Sequence, residues 1–271
     1  NGPAYIEKTA DLPLAVKRIM DSKTFDNGTI CASEQSVVCD EGMEEAVRNE
    51  MERQGAYFLD SEQIRKLGTF ILRANGTMNP MIVGKSAAVI AEMADITIPE
   101  GTRVLVARED GIGRGHPYSN EKLAPILAFY TAPSYVEICE LCQEILHYEG
   151  AGHTFSIHTK DDGMVEYFAK RIPASRIVVN TPSALGGIGG TTGLMPALTL
   201  GCGAVGGSAT SENVGPENLL NLRYVAEGIQ EIEDVQASLP DCSEGVCRPQ
   251  SYEDIDIDAV VSEIIKRLRL A

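Results

Sequence analysis

The chain has 271 residues, 44% of them hydrophobic, which suffices for a sizeable buried core, and it contains no apolar run long enough for a membrane-spanning helix. Its formal net charge of −16 argues against a nucleic-acid partner, because phosphate backbones bind basic surfaces, although a local basic pocket for a phosphorylated cofactor stays open. Seven cysteines in a chain of this length do not form the dense disulfide framework of a small secreted domain, so we expect reduced thiols and a cytoplasmic protein.

Helical and extended patterns alternate along the chain. Amphipathic helices are predicted over residues 11–23, 43–54 and 61–72, with an apolar run at Val37 and Val38 between the first two. Strands are then predicted over residues 103–107, 126–130, 154–158 and 176–180, with helices over 133–148 and 161–171. This alternation predicts an α/β fold with a largely parallel sheet flanked by helices.

Composition changes after the last predicted strand. Glycine clusters at residues 186–190 and 201–207 predict a loop-rich wall of an active site. The first cluster lacks the spacing and the following Lys-Ser/Thr of a phosphate-binding loop. Residues 218–226 suit an edge strand or a subunit-pairing strand, and the acidic stretch 231–252 has linker composition. We therefore expect a catalytic domain over residues 1–230.

The first candidate for chemistry is Cys31, which follows the turn-forming Asp26-Asn27-Gly28 and precedes the apolar run. A thiolate there would sit at a loop tip, near backbone N–H groups able to bind an oxyanion. From this pattern alone, a nucleophile and a small buried cysteine that only packs are equally supported.

Residues 22–35, Ser-Lys-Thr-Phe-Asp-Asn-Gly-Thr-Ile-Cys-Ala-Ser-Glu-Gln, resemble the nucleophile segment of CoA-acylating aldehyde dehydrogenases. These include ethanolamine- and propanediol-utilisation enzymes and the aldehyde half of bifunctional aldehyde-alcohol dehydrogenases. Other segments match the family as well, and all of them occur in the same order along the chain as in the family. They are residues 1–8, 116–125, 152–154, 179–183, 186–189 and 211–216. The resemblance spans about residues 1–228 and implies an aldehyde dehydrogenase-like catalytic domain.

The resemblance implies a reversible two-stage reaction. The Cys31 thiolate adds to a short-chain aldehyde, hydride passes to NAD, and coenzyme A resolves the thioacyl-enzyme. The cofactor-binding Glu of a Glu-x-x-x-Pro motif falls on Glu121, with Pro125 closing the motif. This Glu is expected to hydrogen-bond the nicotinamide ribose hydroxyls. The alternative is a solvated Glu at the start of a helix.

The remaining site residues are also implied by the resemblance. Oxyanion or site-lining roles fall on Asn27, Gly28, His153 and Asn180, and the CoA or substrate loop on Gly186, Gly187, Gly189 and Gly203. Either His153 or His116 could shuttle protons near neutral pH, with a structural role for His153 also open. His147 and His158 are expected to be structural.

We expect no metal site. Cys139 and Cys142 lie within a predicted amphipathic helix and lack a second pair at zinc-ribbon spacing, so a buried helix face explains them better. Cys242 and Cys247, in the predicted linker, are expected to stay free thiols.

Aldehyde dehydrogenases build most of their dinucleotide-binding domain before the nucleophile segment, and here 30 residues precede Cys31. The start also lacks an initiator Met and a signal pattern. We therefore expect part of a longer homo-oligomeric enzyme, a dimer or tetramer, that is nearly inactive as an isolated chain. The competing hypothesis is a non-catalytic assembly or decoy subunit that keeps the fold.

Residues 253–271 predict an amphipathic helix. Its apolar stripe recurs at three- and four-residue steps and consists of Ile257, Val260, Val261, Ile264, Ile265 and Leu268. Asp258 near the start and basic residues near the end suit the helix dipole. The helix either docks on its own domain or subunit partner, or serves as an encapsulation peptide. It resembles the short peptides that recruit such enzymes into bacterial microcompartments by packing on shell proteins.

Overall fold

The computed structural model describes residues 2–238. Its contacts divide the chain into a main unit, Asn1–Leu220, and a second unit, Asn221–Ala271. The predicted helix over 253–271, most of the predicted linker, and both linker cysteines lie outside the described residues. Within the described part, no helix is long and apolar enough to cross a membrane.

One seven-stranded sheet forms the centre of the main unit. Its strands are β1 (Gly2–Ile6), β2 (Glu34–Asp40), β3 (Ala56–Phe58), β4 (Val104–Arg108), β5 (Ile126–Ala132), β6 (Gly152–His158) and β7 (Ala174–Val179). The order across the sheet is β3-β4-β5-β2-β1-β6-β7, and all neighbouring pairs are parallel. The predicted α/β fold with a parallel sheet is confirmed, with β1 and β3 as strands that the sequence patterns did not reveal.

Helices cover both faces of the sheet. They are α1 (Leu12–Thr24), α2 (Glu44–Arg53), α3 (Ser61–Ile71), α4 (Ala87–Met93), α5 (Tyr135–Tyr148), α6 (Asp162–Ala169) and α7 (Ser183–Gly187), with α8 (Ile232–Ser238) in the second unit. The five predicted helices of the main unit are confirmed. Both α4 and α7 are too short for a clear apolar period. Because α8 begins the stretch predicted as a linker, that part of it is helical.

The alternation of side chains along the strands divides the core into two apolar clusters, one on each face. Along β2, Val37 and Cys39 pack with α1 and α2, whereas Val38 packs in the cluster that α3 to α6 cover. In α1, buried Val16, Ile19 and Met20 recur at three- and four-residue steps. The face of α1 that they form fixes the helix immediately before the predicted nucleophile.

The paired cysteines of α5 belong to the core. Cys139 and Cys142 lie on the same buried face as Ile138, Ile145 and Leu146, and both are free thiols. Burial raises the pKa of both thiols. The interpretation of this Cys-x-x-Cys as a packed helix face is therefore confirmed.

The predicted subunit-pairing segment forms neither helix nor strand in the single chain after a 3₁₀ turn at Pro216–Leu219. Its apolar side chains are exposed, with Leu222 at 64% and Val225 at 96% of their full accessibility. A strand that forms only with a partner subunit stays a prediction.

Core truncation provides a test of this packing. Leu146→Ala on α5 should lower the free energy of unfolding by about 2–5 kcal/mol, because Leu146 is fully buried and its removal leaves a cavity. The matched Leu198→Ala, at a side chain that is 74% exposed, should change it by about 0.5 kcal/mol or less. Urea denaturation followed by circular dichroism measures both; equal losses would contradict the described core.

Candidate active site

The turn between α1 and β2 brings Cys31 to the amino-terminal edge of the sheet. Asp26, Asn27 and Gly28 have positive φ angles of 46°, 50° and 76°. Only Gly, and less readily Asn and Asp, adopt this left-handed backbone at low cost, which explains the residue types found here. The Thr29 hydroxyl fastens the turn by donating to the Asp26 carboxylate at 2.5 Å.

Two contacts hold this turn against the segment that carries Glu121. A Cβ atom on Gly28 would lie 2.9 Å from the carbonyl oxygen of Ala124. The side-chain amide of Asn27 donates to the carbonyl of Gly84 at 3.0 Å, and the Gly84 N–H donates to the carbonyl of Leu123 at 3.1 Å. The structure therefore uses Asn27 to anchor the loop. Sequence patterns gave no sign that Gly84 takes part.

Cys31 is a partly buried free thiol. Burial raises its pKa above the ordinary value, the Glu121 carboxylate raises it further, and the backbone N–H groups of Cys31 and Ala32 lower it. These two N–H groups are the donors expected near the nucleophile. In the described chain the sulfur is thus less ionised at neutral pH than an exposed cysteine.

Glu121 lies on a non-helical segment between a 3₁₀ turn at Pro117–Ser119 and β5, which excludes the alternative of a helix start. Its backbone N–H donates to the Glu149 carboxylate at 2.6 Å. Leu123 adopts a φ of 48°, an uncommon and strained conformation for a bulky residue. The Pro125 carbonyl accepts from β4 and fixes the far end of the segment. Since the Glu121 charge acts on the Cys31 thiol, the structure brings these two predicted residues together.

Buried charges beneath these segments are site features that sequence reasoning missed. Lys23 and Lys122 are both fully buried. Burial lowers the pKa of Lys23 to about 7, opposed by the nearby carboxylates of Glu34 and Glu121. Burial also raises the pKa of Glu34 to about 7. Both groups therefore exchange protons near neutral pH.

His153 begins β6 and is largely buried. Its Nδ1 lies 2.8 Å from the Thr154 hydroxyl, and burial together with the Arg176 cation lowers its pKa to about 4. The ring is therefore neutral and only weakly basic at pH 7, which does not support the predicted proton shuttle near neutral pH. His158 is fully buried, in keeping with a structural role. His147 lies exposed in the last turn of α5.

His116 lies apart in another cluster. Its Nδ1 is 2.7 Å from the Glu109 carboxylate and 3.5 Å from that of Asp110. Within the described part of the chain, these three side chains lie close enough together, and are of the right types, to bind a metal ion. The hydrogen bond between His116 Nδ1 and the Glu109 carboxylate holds this cluster together.

A buried guanidinium secures the glycine-rich wall. Arg176 on β7 is 4% exposed and donates to the carbonyl of His153 at 3.1 Å and to Asn213 Oδ1 at 2.9 Å. It also donates to the carbonyl of Gly201. Arg176 thus ties β6 to both ends of the segment 201–213. The one sequence signal was an Arg at the start of an otherwise apolar strand.

The predicted glycines fall into two groups. Gly187 packs beside the nucleophile, because a Cβ atom on it would lie 2.7 Å from that of Ala32, and its carbonyl accepts from Asn213 at 2.9 Å. Gly186 packs on Thr181. Gly189 and Gly203 shape the wall instead, with positive φ angles of 82° and 61°.

Asn180 is not brought to this site. In a parallel sheet, a residue just before one strand and a residue that directly follows another strand lie at opposite edges. Cys31 precedes β2, whereas Asn180 follows β7, and its amide bonds the Thr159 backbone at both ends, at 2.7 and 3.1 Å.

No protein-family model matches the chain. The chain is 41% identical over 232 residues to the bifunctional aldehyde-alcohol dehydrogenase AdhE of Escherichia coli (strain K12), a match covering 84% of this chain and 26% of that protein. A probable aldehyde dehydrogenase from Listeria monocytogenes EGD-e has 60% identity and a TM-score of 0.83, covering 86% of this chain and 52% of that one.

Two further solved structures are similar. An acetylating aldehyde dehydrogenase from Geobacillus thermoglucosidasius has 48% identity and a TM-score of 0.82, over 86% of this chain and 51% of that one. A propionaldehyde dehydrogenase from the Clostridium phytofermentans fucose utilisation bacterial microcompartment has 29% identity and a TM-score of 0.70, over 78% and 47%. The chain thus spans about a quarter of AdhE and about half of these dehydrogenases.

Glu121→Gln tests the proximity of the two site residues. Because the carboxylate raises the pKa of the Cys31 thiol, a neutral amide should lower that pKa and increase the thiolate fraction at neutral pH. The measurement is the pH dependence of Cys31 alkylation by iodoacetamide, followed on its peptide by mass spectrometry. Glu92→Gln, on the exposed face of α4, should leave it unchanged. An unchanged or higher pKa in Glu121→Gln would refute the arrangement.

Proposed function

We propose that this chain, a homologue of the CoA-acylating aldehyde dehydrogenases, supplies the nucleophile of a reversible, CoA-dependent oxidation of short-chain aldehydes. The observation that carries the proposal is the close packing of the turn before Cys31 on the segment after Glu121, where Gly28 meets the Ala124 carbonyl, together with the effect of the Glu121 charge on the Cys31 thiol. A cysteine that only packs has no need for a strained turn that delivers it to a partly open loop.

We assign Cys31 a role in both stages of the reaction, the oxidation of the aldehyde and the transfer of the acyl group to coenzyme A. Its sulfur adds to the aldehyde carbonyl carbon, and the backbone N–H groups of Cys31 and Ala32, which act on the sulfur, are the proposed donors to the oxygen on which negative charge develops. The low pKa of His153 makes its ring a poor acceptor for the thiol proton, so we propose a site-lining role for it. Once the carbon is oxidised, Cys31 holds the acyl group as a thioester. The thiol of coenzyme A attacks it, releasing acyl-CoA and the free cysteine.

NAD is the proposed hydride acceptor. Glu121 fits its ribose hydroxyls, because the carboxylate lies beside the nucleophile on a segment whose backbone is fixed by Glu149 and Pro125. We propose that the CoA or substrate loop includes Gly186, Gly187, Gly189 and Gly203, with Gly187 packed against Ala32 next to Cys31. We propose no metal.

We also propose a homo-oligomer, a dimer or tetramer, in the cytoplasm. The exposed apolar side chains of residues 219–225 support pairing with a second subunit. Localisation within a bacterial microcompartment, through shell protein bound by residues 253–271, rests on the sequence pattern. The microcompartment relative supports it.

A non-catalytic assembly or decoy subunit is the second candidate. The observation that favours it is the raised pKa of the Cys31 thiol, because a catalytic cysteine is expected to ionise readily. Chemistry at Cys31 therefore separates the two candidates.

Acyl transfer tests the proposed function. The chain joined behind the part of the Listeria relative that lies outside the match should form NADH from short aldehydes only when coenzyme A is present. With propionyl-CoA it should gain a propionyl thioester on Cys31 and release free coenzyme A, because this half-reaction needs no hydride acceptor. Mass spectrometry of the Cys31 peptide detects the adduct.

The cysteine variants provide the controls for that assay. Cys31→Ala should reduce NADH formation below a few per cent and abolish the adduct, whereas Cys39→Ala, Cys139→Ala and Cys142→Ala should keep most of both. Turnover retained in Cys31→Ala would show that the nucleophile is assigned incorrectly. A folded chain without the adduct would favour the decoy subunit.

A fused reporter tests the proposed tail. A fluorescent protein carrying residues 250–271 should co-localise with microcompartment shells, because the apolar stripe packs on shell protein. Ile264→Glu places a charge in the stripe and should release the reporter, whereas Glu263→Gln, which leaves the stripe intact, should not. A diffuse reporter in the presence of shells would favour docking on the protein's own domain or subunit partner.

A further inference from the structure

A single buried side chain connects the two segments that carry the site. Gln35, fully buried on β2, accepts with one oxygen, Oε1, from two donors. These are the Lys23 ammonium at 3.3 Å and the backbone N–H of Lys122 at 3.1 Å. Lys23 ends the helix before the nucleophile turn, and Lys122 follows Glu121. One oxygen therefore contacts both segments, four residues after Cys31.

The Lys122 side chain makes its end of this bridge rigid. Its ammonium donates to the carbonyls of Tyr118 at 2.6 Å and Asn120 at 2.7 Å. These two hydrogen bonds fold the backbone before Glu121 around the Lys122 side chain. A displacement of the Lys122 N–H would therefore move the Glu121 backbone with it.

The arrangement is costly for stability. Two ammonium groups are fully buried, and Nε2 of Gln35 has no hydrogen-bond partner among the described residues. An unsatisfied buried amide donor costs about 1–3 kcal/mol, and an apolar residue such as those at Val37 and Val38 would avoid that cost. The polar contacts are accordingly better explained by the geometry they impose than by stability.

We propose that Gln35 is a positioning residue that fixes the Glu121 carboxylate against the Cys31 thiol by binding Lys23 and Lys122 with one oxygen. The inference deepens the proposed function, since Glu121 and Cys31 are its cofactor and nucleophile residues. Burial lowers the pKa of both lysines. The carboxylates of Glu34 and Glu121 oppose this shift at Lys23. At Lys122 the Lys23 charge adds to the shift, and the carboxylates of Glu149, Glu121 and Glu109 oppose it.

A double-mutant cycle tests this without substrate or cofactor. The quantity measured is the fall in the alkylation pKa of Cys31 caused by Glu121→Gln, determined in the wild-type chain and in the Gln35→Met and Gln35→Glu backgrounds. Met has a similar length but no acceptor, so most of the fall should disappear. Glu retains an acceptor oxygen for both donors and should preserve it. Comparison within each background removes the effect of the added charge.

The outcomes are distinct. A fall in Gln35→Met equal to that in the wild-type chain, or no fall in the wild-type chain, would overturn the proposal. If circular dichroism shows that Gln35→Met is unfolded, Lys23→Met removes the other partner and should have the same effect. Lys17→Met, on the exposed face of α1, is the matched control and should preserve the fall. If the double-mutant cycle gives the expected result but the chain fails to transfer the acyl group, only the proposed function is refuted.

Discussion

The site depends on how closely the nucleophile turn approaches the Glu121 segment. Because a Cβ atom at Gly28 would lie 2.9 Å from the Ala124 carbonyl, only glycine permits the contact without displacing one of the two backbones. The left-handed residues before it reverse the chain sharply enough to reach that position. Asn27 and Gly84 then form a second, longer connection to the same segment. Two loops that lead into different strands, β2 and β5, are thereby packed together.

The buried charges contrast with the acidity of the chain. Lys23, Lys122 and Arg176 are each almost wholly removed from solvent. Their N–H groups are directed at carbonyl and amide oxygens of the loops, so the cations organise backbone. Burial raises the pKa of the Cys31 thiol, and the Glu121 carboxylate raises it further.

Long periodic elements were predictable from the sequence because each buries a continuous apolar stripe, as in α5. The two short strands β1 and β3 offer five and three residues and give no such signal. Cys31 and Glu121 were identified by resemblance to a family. Gln35 and Arg176 were missed because their partners are remote in sequence, 87 residues in the case of the Lys122 N–H. Burial, which sets the pKa of His153, is likewise invisible in a local pattern.

Strand direction explains why Asn180 lies at the edge of the sheet opposite to Cys31. Parallel sheets commonly bind ligands beyond the carboxyl ends of their strands, but here Thr159 and Asn180 at that edge are engaged in hydrogen bonds within the chain. The Thr159 hydroxyl donates to the Glu7 carboxylate at 2.8 Å, and the Asn180 amide bonds the Thr159 backbone. At the amino edge the chain enters β2 from a turn, and the N–H groups of Cys31 and Ala32 face the sulfur. An oxyanion formed at Cys31 therefore meets donors at the edge where the nucleophile lies, which favours chemistry there.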